Sequence, residues 1–131
     1  MKRPMVAVVS VAAAVVILCG FAADGSWLKH VPAQYEFRHN PLAGQADAIA
    51  GGRELYVQHC ASCHGTDTLG RGRRPSLSSE RIHQATDGEL YWLLENGNLA
   101  HGMPSWSRLP DPQRWQLIAY LHTLLPEPGK Q

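Results

Sequence analysis

Two cysteines and a histidine, in the run Cys60-Ala61-Ser62-Cys63-His64, constrain this 131-residue chain more than any other feature. Two thiols three residues apart lie about one helical turn from each other. They can therefore reach the two vinyl groups of one porphyrin as thioethers, and the histidine that follows directly can present its imidazole to the iron. The spacing C-x-x-C-H is the signature of covalent c-type haem attachment. The run therefore predicts one haem c, bound through Cys60 and Cys63, with His64 as an iron ligand.

Two other uses of a C-x-x-C pair have to be weighed against haem. A structural zinc site would need two further nitrogen or sulfur ligands, and the remaining cysteine, Cys19, lies in an apolar N-terminal run. A redox-active dithiol is typical of a βαβ context, whereas no run of this sequence has the period of two that a strand requires. The adjacent histidine favours haem over both alternatives. The odd total of three cysteines also excludes a framework of several disulfides.

The N-terminal segment predicts insertion into a membrane. Lys2 and Arg3 precede twenty uncharged residues, 4–23, most of which are Val, Ala, Ile or Leu. At about 1.5 Å per residue this run reaches about 30 Å, the thickness of the hydrocarbon layer. We expect an uncleaved anchor, with a signal peptide cleaved after Ala22 or a lipid on Cys19 as alternatives. In each case the rest of the chain lies on the periplasmic side of a bacterial inner membrane, or is soluble in the periplasm after cleavage.

The charge balance argues against nucleic acid as the main partner. The chain has 12 basic and 11 acidic residues. Without the two basic residues at the N-terminus the balance is 10 against 11, and nucleic-acid binding needs a strong positive field. Arg71, Arg73 and Arg74 form a local basic cluster. This cluster could neutralise a haem propionate, meet an acidic partner or simply be solvated.

The sequence divides into three parts. The N-terminal membrane segment, 1–23, is followed by residues 24–45, which mix glycine, proline and scattered aromatics without a lasting apolar period. We interpret 24–45 as a tether to a domain over residues 46–128. Within this tether, Trp27 and Tyr35 could lie at the membrane interface or on the domain.

Three main helices are predicted in the domain, so the fold class is all-α. They are expected over residues 46–63, 86–96 and 111–126. Gly52 makes a small notch in the apolar face of the first helix and suggests close contact with another helix. Thr86 and Glu89 form a capping box at the start of the second. Asp111 and Pro112 are expected as the N-cap and first residue of the third.

The chain resembles the class I cytochromes c over residues 48–125. Gly52 and Tyr56 match the glycine and the aromatic residue that the family carries on its first helix, which packs across the last one. Pro75 and Leu77 match a proline and a leucine that follow the attachment site. The resemblance implies that the Pro75 carbonyl accepts the Nδ1–H of the haem histidine and that Leu77 packs on the porphyrin. It also implies a small all-α domain of three main helices around a covalent haem, here preceded by an N-terminal hydrophobic helix.

Met103 is the expected sixth ligand of the iron. It lies 39 residues after His64, between Gly102, which lets the loop approach closely, and Pro104, which stiffens it. The other two methionines lie within the first five residues, outside the haem domain. His101 is the competing ligand, and a plain core position for Met103 is the other alternative. A thioether is a soft neutral ligand that favours reduced iron and raises the reduction potential.

The expected ligands imply electron transfer, without enzymatic activity. An iron held by both His64 and Met103 has no open coordination position, so it passes single electrons and does not activate a substrate. Trp106 is expected to cover a haem edge or meet a propionate, with packing as the alternative. We expect a respiratory-chain carrier between a quinol-oxidising complex or periplasmic dehydrogenase and a terminal oxidase or reductase. A fixed haem subunit of a larger complex is one alternative, and a sensor or peroxidase from which Met103 dissociates is another.

Overall fold

The computed structural model describes residues 25–129. This part of the chain is helical and contains no β-strand, only two isolated bridges, so the expected all-α fold is confirmed. The α-helices are α1 (Ala46–His59), α2 (Ala61–His64), α3 (Glu80–Gln84), α4 (Asp87–Asn96) and α5 (Asp111–Leu121). The predicted anchor or signal peptide lies outside the described residues. Within residues 25–129, no helix combines the length and the apolar character that crossing a membrane requires.

The longer helices α1 and α5 pack against each other at Gly52. A β-carbon at this position would lie 1.9 Å from the backbone oxygen of Gln116 and 2.9 Å from the β-carbon of Tyr120. The helix backbones can approach this closely only because glycine has no side chain. Tyr56, farther along α1, packs its ring 5.5 Å from that of Tyr120. Gly52, which the sequence analysis singled out as a gap in the apolar face of the first helix, is therefore the point at which α1 and α5 meet.

The capping box at the start of α4 is present as predicted. The Thr86 hydroxyl accepts a hydrogen bond from the Glu89 N–H at 3.2 Å, and the Glu89 carboxylate accepts one from the Thr86 N–H at 2.7 Å. Two backbone donors at the helix start are satisfied in this way. The helix is followed by Gly97 at φ +70°, where a β-carbon would lie 2.7 Å from the Met103 carbonyl oxygen. The end of α4 thus touches the loop that carries the methionine.

The helix ends differ from the predicted ones. α1 ends at His59, because Cys60 has φ −115° and interrupts the helix before α2 begins. The last helix begins with Asp111 inside it and Pro110 as its N-cap residue, so the predicted N-cap is one residue late. It ends at Leu121, and irregular backbone follows before the proline that was expected to end it.

Residues 25–45 pack on the helical domain. The aromatic and aliphatic side chains of this segment are partly buried against the core, namely Trp27, Tyr35 and Leu42. The Tyr35 hydroxyl also donates to the carboxylate of Glu95 in α4 at 2.7 Å. The sequence left open whether Trp27 and Tyr35 lie at the membrane interface or on the domain, and the structure shows both on the domain.

Asn40 and Gly88 allow residues 25–45 to pack closely on α4 and α5. The buried Asn40 side chain donates to the Trp115 carbonyl at 2.9 Å, and its backbone N–H donates to the carboxylate of Asp87 at 2.8 Å. A β-carbon on Gly88 would lie only 1.7 Å from the Tyr35 carbonyl oxygen. The segment therefore lies directly on the helix backbone.

Candidate haem site

The C-x-x-C-H run spans the break between α1 and α2. Cys60 lies at the break, and Cys63 and His64 lie on α2. Both cysteines are free thiols; Cys60 is partly buried against the core and Cys63 is exposed. Burial raises the pKa of the Cys60 thiol to about 12, so the thiol is neutral and suited to an apolar surrounding. The two thiols therefore lie at different depths, one against the protein interior and one at the surface.

The His64 ring is oriented by a backbone carbonyl. Its Nδ1 lies 2.9 Å from the Pro75 oxygen, and because a carbonyl only accepts, Nδ1 donates and Nε2 keeps its lone pair. Burial lowers the pKa of His64, although the hydrogen bond to Pro75 acts in the opposite direction. The neutral imidazole, which is the form that binds a metal, is therefore favoured. This hydrogen bond is the one that the resemblance to cytochromes c implied.

The loop between α2 and α3 is tied together by its own polar groups. Thr68 is buried at φ +66°, and its carbonyl accepts the Leu77 N–H at 2.8 Å while its hydroxyl lies 2.6 Å from that of Ser78. From α1, the Tyr56 hydroxyl donates to the Gly65 carbonyl at 2.6 Å. These bonds hold the loop that contains Pro75, whose carbonyl accepts the hydrogen bond from His64.

Met103 lies in a short turn after the 3-10 helix Leu99–His101 and is partly buried against the core. Asn98 and Met103 exchange two backbone hydrogen bonds, at 3.0 and 3.1 Å. Gly102 closes the turn at φ +78°, a conformation that favours glycine. His101 is exposed, and its Nδ1 lies 2.9 Å from the Asn98 side-chain oxygen. Of the two candidate sixth ligands, only the methionine packs against the core.

Trp106 brings the methionine loop to the end of α1. Its ring is partly buried and lies 5.2 Å from the ring of His59, the residue before the first motif cysteine. Its backbone N–H donates to the Leu94 carbonyl in α4 at 2.7 Å. Trp106 thus has a packing role within the described residues, and contact with a haem edge stays a prediction.

The basic cluster divides into two exposed members and one that contacts the methionine loop. Arg71 and Arg73 are exposed, whereas Arg74 is partly buried. The Arg74 guanidinium donates to the carbonyls of His101 and Gly102, at 3.3 and 3.2 Å. Arg74 therefore bridges the loop after the attachment motif to the turn before the methionine.

The donor set fits a haem c. It offers two free thiols, an imidazole with its Nε2 lone pair free, and a partly buried thioether. Three partly buried apolar side chains pack against the same core as Cys60 and Met103: Leu77, Trp106 and Leu109. By contrast, residues 25–129 hold no group of three or more His, Cys, Asp or Glu side chains that could bind a metal ion.

One polar residue of this region was missed by the sequence analysis. Arg114 is only 5% exposed, although it carries a charge. It lies at helical spacing from the buried Ile118 and Leu121 on α5, and its guanidinium reaches the loop that follows Met103. A charged residue at a core-facing helix position is the signal that could have identified it.

Comparison with known proteins gives one family model and several relatives. The family model described as cytochrome C oxidase, cbb3-type, subunit III matches residues 47–121. The chain is 30% identical to the Cbb3-type cytochrome c oxidase subunit FixP of Sinorhizobium medicae, over 70% of the chain and 33% of the relative. It is also 30% identical to the Cbb3-type cytochrome c oxidase subunit CcoP of Azospirillum brasilense, over 70% of the chain and 34% of the relative.

A relative with a different name is similar to part of the chain. The chain is 33% identical to the dihydro-heme d1 dehydrogenase of Pseudomonas aeruginosa, over 59% of the chain and 16% of that protein. The chain spans about a third of the length of the two oxidase subunits.

Proposed function

Because the chain belongs to the cbb3-type cytochrome c oxidase subunit III family, and is a class I-like c-type cytochrome domain, we propose that residues 46–128 carry single electrons through one haem c. Cys60 and Cys63 would hold the haem through thioether bonds, and His64 and Met103 would bind its iron. Such a domain carries electrons and is not itself an enzyme.

The observation that carries this proposal is the 2.9 Å contact between His64 Nδ1 and the Pro75 oxygen. It fixes the tautomer that keeps Nε2 free, and a hydrogen bond of this kind also makes the imidazole a more basic ligand. A histidine that served only for packing would have no need of this orientation next to two free cysteines. Leu77 and Trp106 are partly buried against the core and would supply apolar cover for the haem.

The haem would supply a one-electron redox couple, and the residues of this chain would set its reduction potential. A Met103 thioether would favour the reduced form of the iron and a His64 imidazole the oxidised form, so the two side chains together would set the reduction potential. An iron bound by both His64 and Met103 would have no position left for a substrate. The backbone bridge between Asn98 and Met103 holds the turn that presents the thioether.

The proposed place of this domain is on the periplasmic side of a bacterial inner membrane. Residues 1–23 serve as its anchor, and residues 24–45 link the anchor to the domain. The donor is a quinol-oxidising complex or a periplasmic dehydrogenase, and the acceptor is a terminal oxidase or reductase. The names of the oxidase-subunit relatives support a terminal oxidase as the acceptor.

The names of these relatives also favour a second candidate, a fixed haem subunit of a larger respiratory complex. Extraction of the membranes with a mild detergent, followed by size separation and detection of covalent haem, distinguishes the two. A free carrier migrates as a small species, whereas a subunit migrates with the haem and copper proteins of an oxidase.

The ligand assignment is tested on the full chain, produced with a c-type haem maturation system. Intact mass should show one added haem, and the oxidised protein at neutral pH should show the weak absorbance band of a thioether bound to ferric iron. Met103→Ala should abolish this band and lower the reduction potential. Met5→Ala and His101→Ala are the controls and should do neither. A wild-type protein without the band would refute Met103 as the ligand.

A further inference from the structure

Arg114 joins α5 to the irregular loop that follows the methionine. Its Nη1 donates to the carbonyl oxygens of Ser107 and Leu109 at 2.8 and 2.7 Å, with the Trp106 carbonyl at a longer 3.5 Å. The guanidinium is almost fully buried. The carbonyls of Ser107 and Leu109, which lie in irregular backbone, are therefore satisfied by one charged side chain.

The other end of the same guanidinium is fixed to α4. Arg114 Nη2 donates to the Tyr91 hydroxyl at 2.7 Å and to the carboxylate of Asp111. The Tyr91 hydroxyl in turn donates to Asp111 at 2.7 Å, and the Tyr91 side chain is only 1% exposed. Because Tyr91 and Asp111 are bonded to each other as well as to Arg114, the guanidinium is held in one position. Arg114 is therefore a rigid support and not a mobile surface charge.

The loop segment that Arg114 holds begins three residues after Met103. On the other side of the methionine, the backbone bridge to Asn98 fixes the turn. We propose that Arg114 is a positioning residue for Met103: by holding the carbonyls of Ser107 and Leu109, and more weakly that of Trp106, it keeps the thioether in the orientation that binds iron. This inference rests on the proposed function, since it requires Met103 to be the axial ligand.

Loss of Arg114 should increase the fraction of molecules in which the loop is open, with the Met103 thioether away from the iron. An added ligand such as imidazole can bind the iron only when the thioether has left, so its apparent affinity rises in proportion to the open fraction. A hydrogen bond from a charged donor is worth at least a factor of about ten in such an equilibrium. Loss of the support of Arg114 should therefore tighten apparent imidazole binding about tenfold or more.

Arg114→Lys tests this in the haem-loaded full chain. Lysine keeps the positive charge, but its ammonium is a single point and cannot bond the loop carbonyls and Tyr91 together as the planar fork does. Imidazole affinity should rise about tenfold, the thioether band should weaken, and the backbone amides of Trp106 and Leu109 should exchange hydrogen faster. Tyr91→Phe, which removes one partner of Arg114, should change the same three measurements in the same direction to a smaller extent.

Two controls separate positioning from general stability. Arg108→Lys makes the same substitution at an exposed position in the same loop and should leave imidazole affinity unchanged. Leu121→Ala empties a buried position on α5 and should lower thermal stability without changing imidazole affinity.

The inference is overturned if Arg114→Lys binds imidazole no more tightly than Arg108→Lys, or if Leu121→Ala tightens binding as much as Arg114→Lys does. A wild-type protein that lacks the thioether band would instead refute the proposed ligand set itself. The Tyr91→Phe variant keeps the inference testable if Arg114→Lys does not fold, because it leaves the arginine in place.

Discussion

Replacement of Gly52 by alanine probes the packing of α1 on α5 directly. The added β-carbon would lie 1.9 Å from the Gln116 carbonyl oxygen, whereas ordinary van der Waals contact begins at 3.4 Å. The obstacle is helix backbone and cannot rotate away, so the two helices must separate by more than an ångström. Such separation would also loosen the contact between Tyr56 and Tyr120, whose rings lie 5.5 Å apart.

The neighbouring Gly51 supplies a matched control. A β-carbon there would meet the end of the flexible Gln116 side chain at 2.9 Å, which can move aside. Both Gly→Ala changes gain the same helix propensity, about 1 kcal/mol, so their difference isolates the backbone clash. Overpacking costs about 1–3 kcal/mol or more. We therefore expect the free energy of unfolding of Gly52→Ala to be lower than that of Gly51→Ala by at least about 2 kcal/mol. Gly51→Ala itself should be as stable as wild type or slightly more stable.

Guanidinium unfolding of the haem-loaded variants, followed by far-ultraviolet circular dichroism, measures this difference. The transition midpoint should fall for Gly52→Ala at an unchanged slope, which would show that stability and not the size of the transition has changed. If Gly52→Ala and Gly51→Ala unfold within about 0.5 kcal/mol of each other, α1 does not approach α5 as closely as described.

Three further changes test other parts of the structure. Thr86→Ala removes the capping box and should lower the free energy of unfolding by about 1 kcal/mol in thermal melts. Gly88→Ala should make residues 33–38 more sensitive to proteolysis, because its β-carbon would collide with the Tyr35 carbonyl. The Tyr91 hydroxyl, with Arg114, holds the pKa of Asp111 below its usual value. The stability this adds is complete above about pH 4 and lost as the pH falls through the lowered pKa, so Asp111→Asn should flatten that loss in acid unfolding curves.

Local signals in the sequence were sufficient for most of the helices. The capping box places the start of α4 correctly because its two hydrogen bonds join residues only three apart. Gly52 revealed a helix contact because a glycine inside a helix is costly unless something lies close to it. The end of α1 was missed, since the break at Cys60 lies within a run that still has helical character.

Contacts between distant parts of the chain could not be read in the same way. Asn40 bonds to Trp115, 75 positions away, and no local pattern distinguishes such a residue from one in a flexible linker. The core-facing position of Arg114 could be read from helical spacing, but its partners, the carbonyls of Ser107 and Leu109, can be identified only from the folded loop. By contrast, the attachment motif was visible because Cys60, Cys63 and His64 are close in sequence as well as in space.

The loops that follow the two proposed iron ligands, His64 and Met103, are both irregular, and this determines which side chains must lie beside them. Irregular backbone has carbonyls without helix or sheet partners, and buried carbonyls must be satisfied by side chains. From α1, Tyr56 donates to the loop after the histidine; from α5, Arg114 donates to the loop after the methionine. Both donors lie on the two helices that meet at Gly52. Separation of those helices would therefore release both ligand loops together, so we expect changes at the helix contact to lower iron–methionine ligation as well as stability.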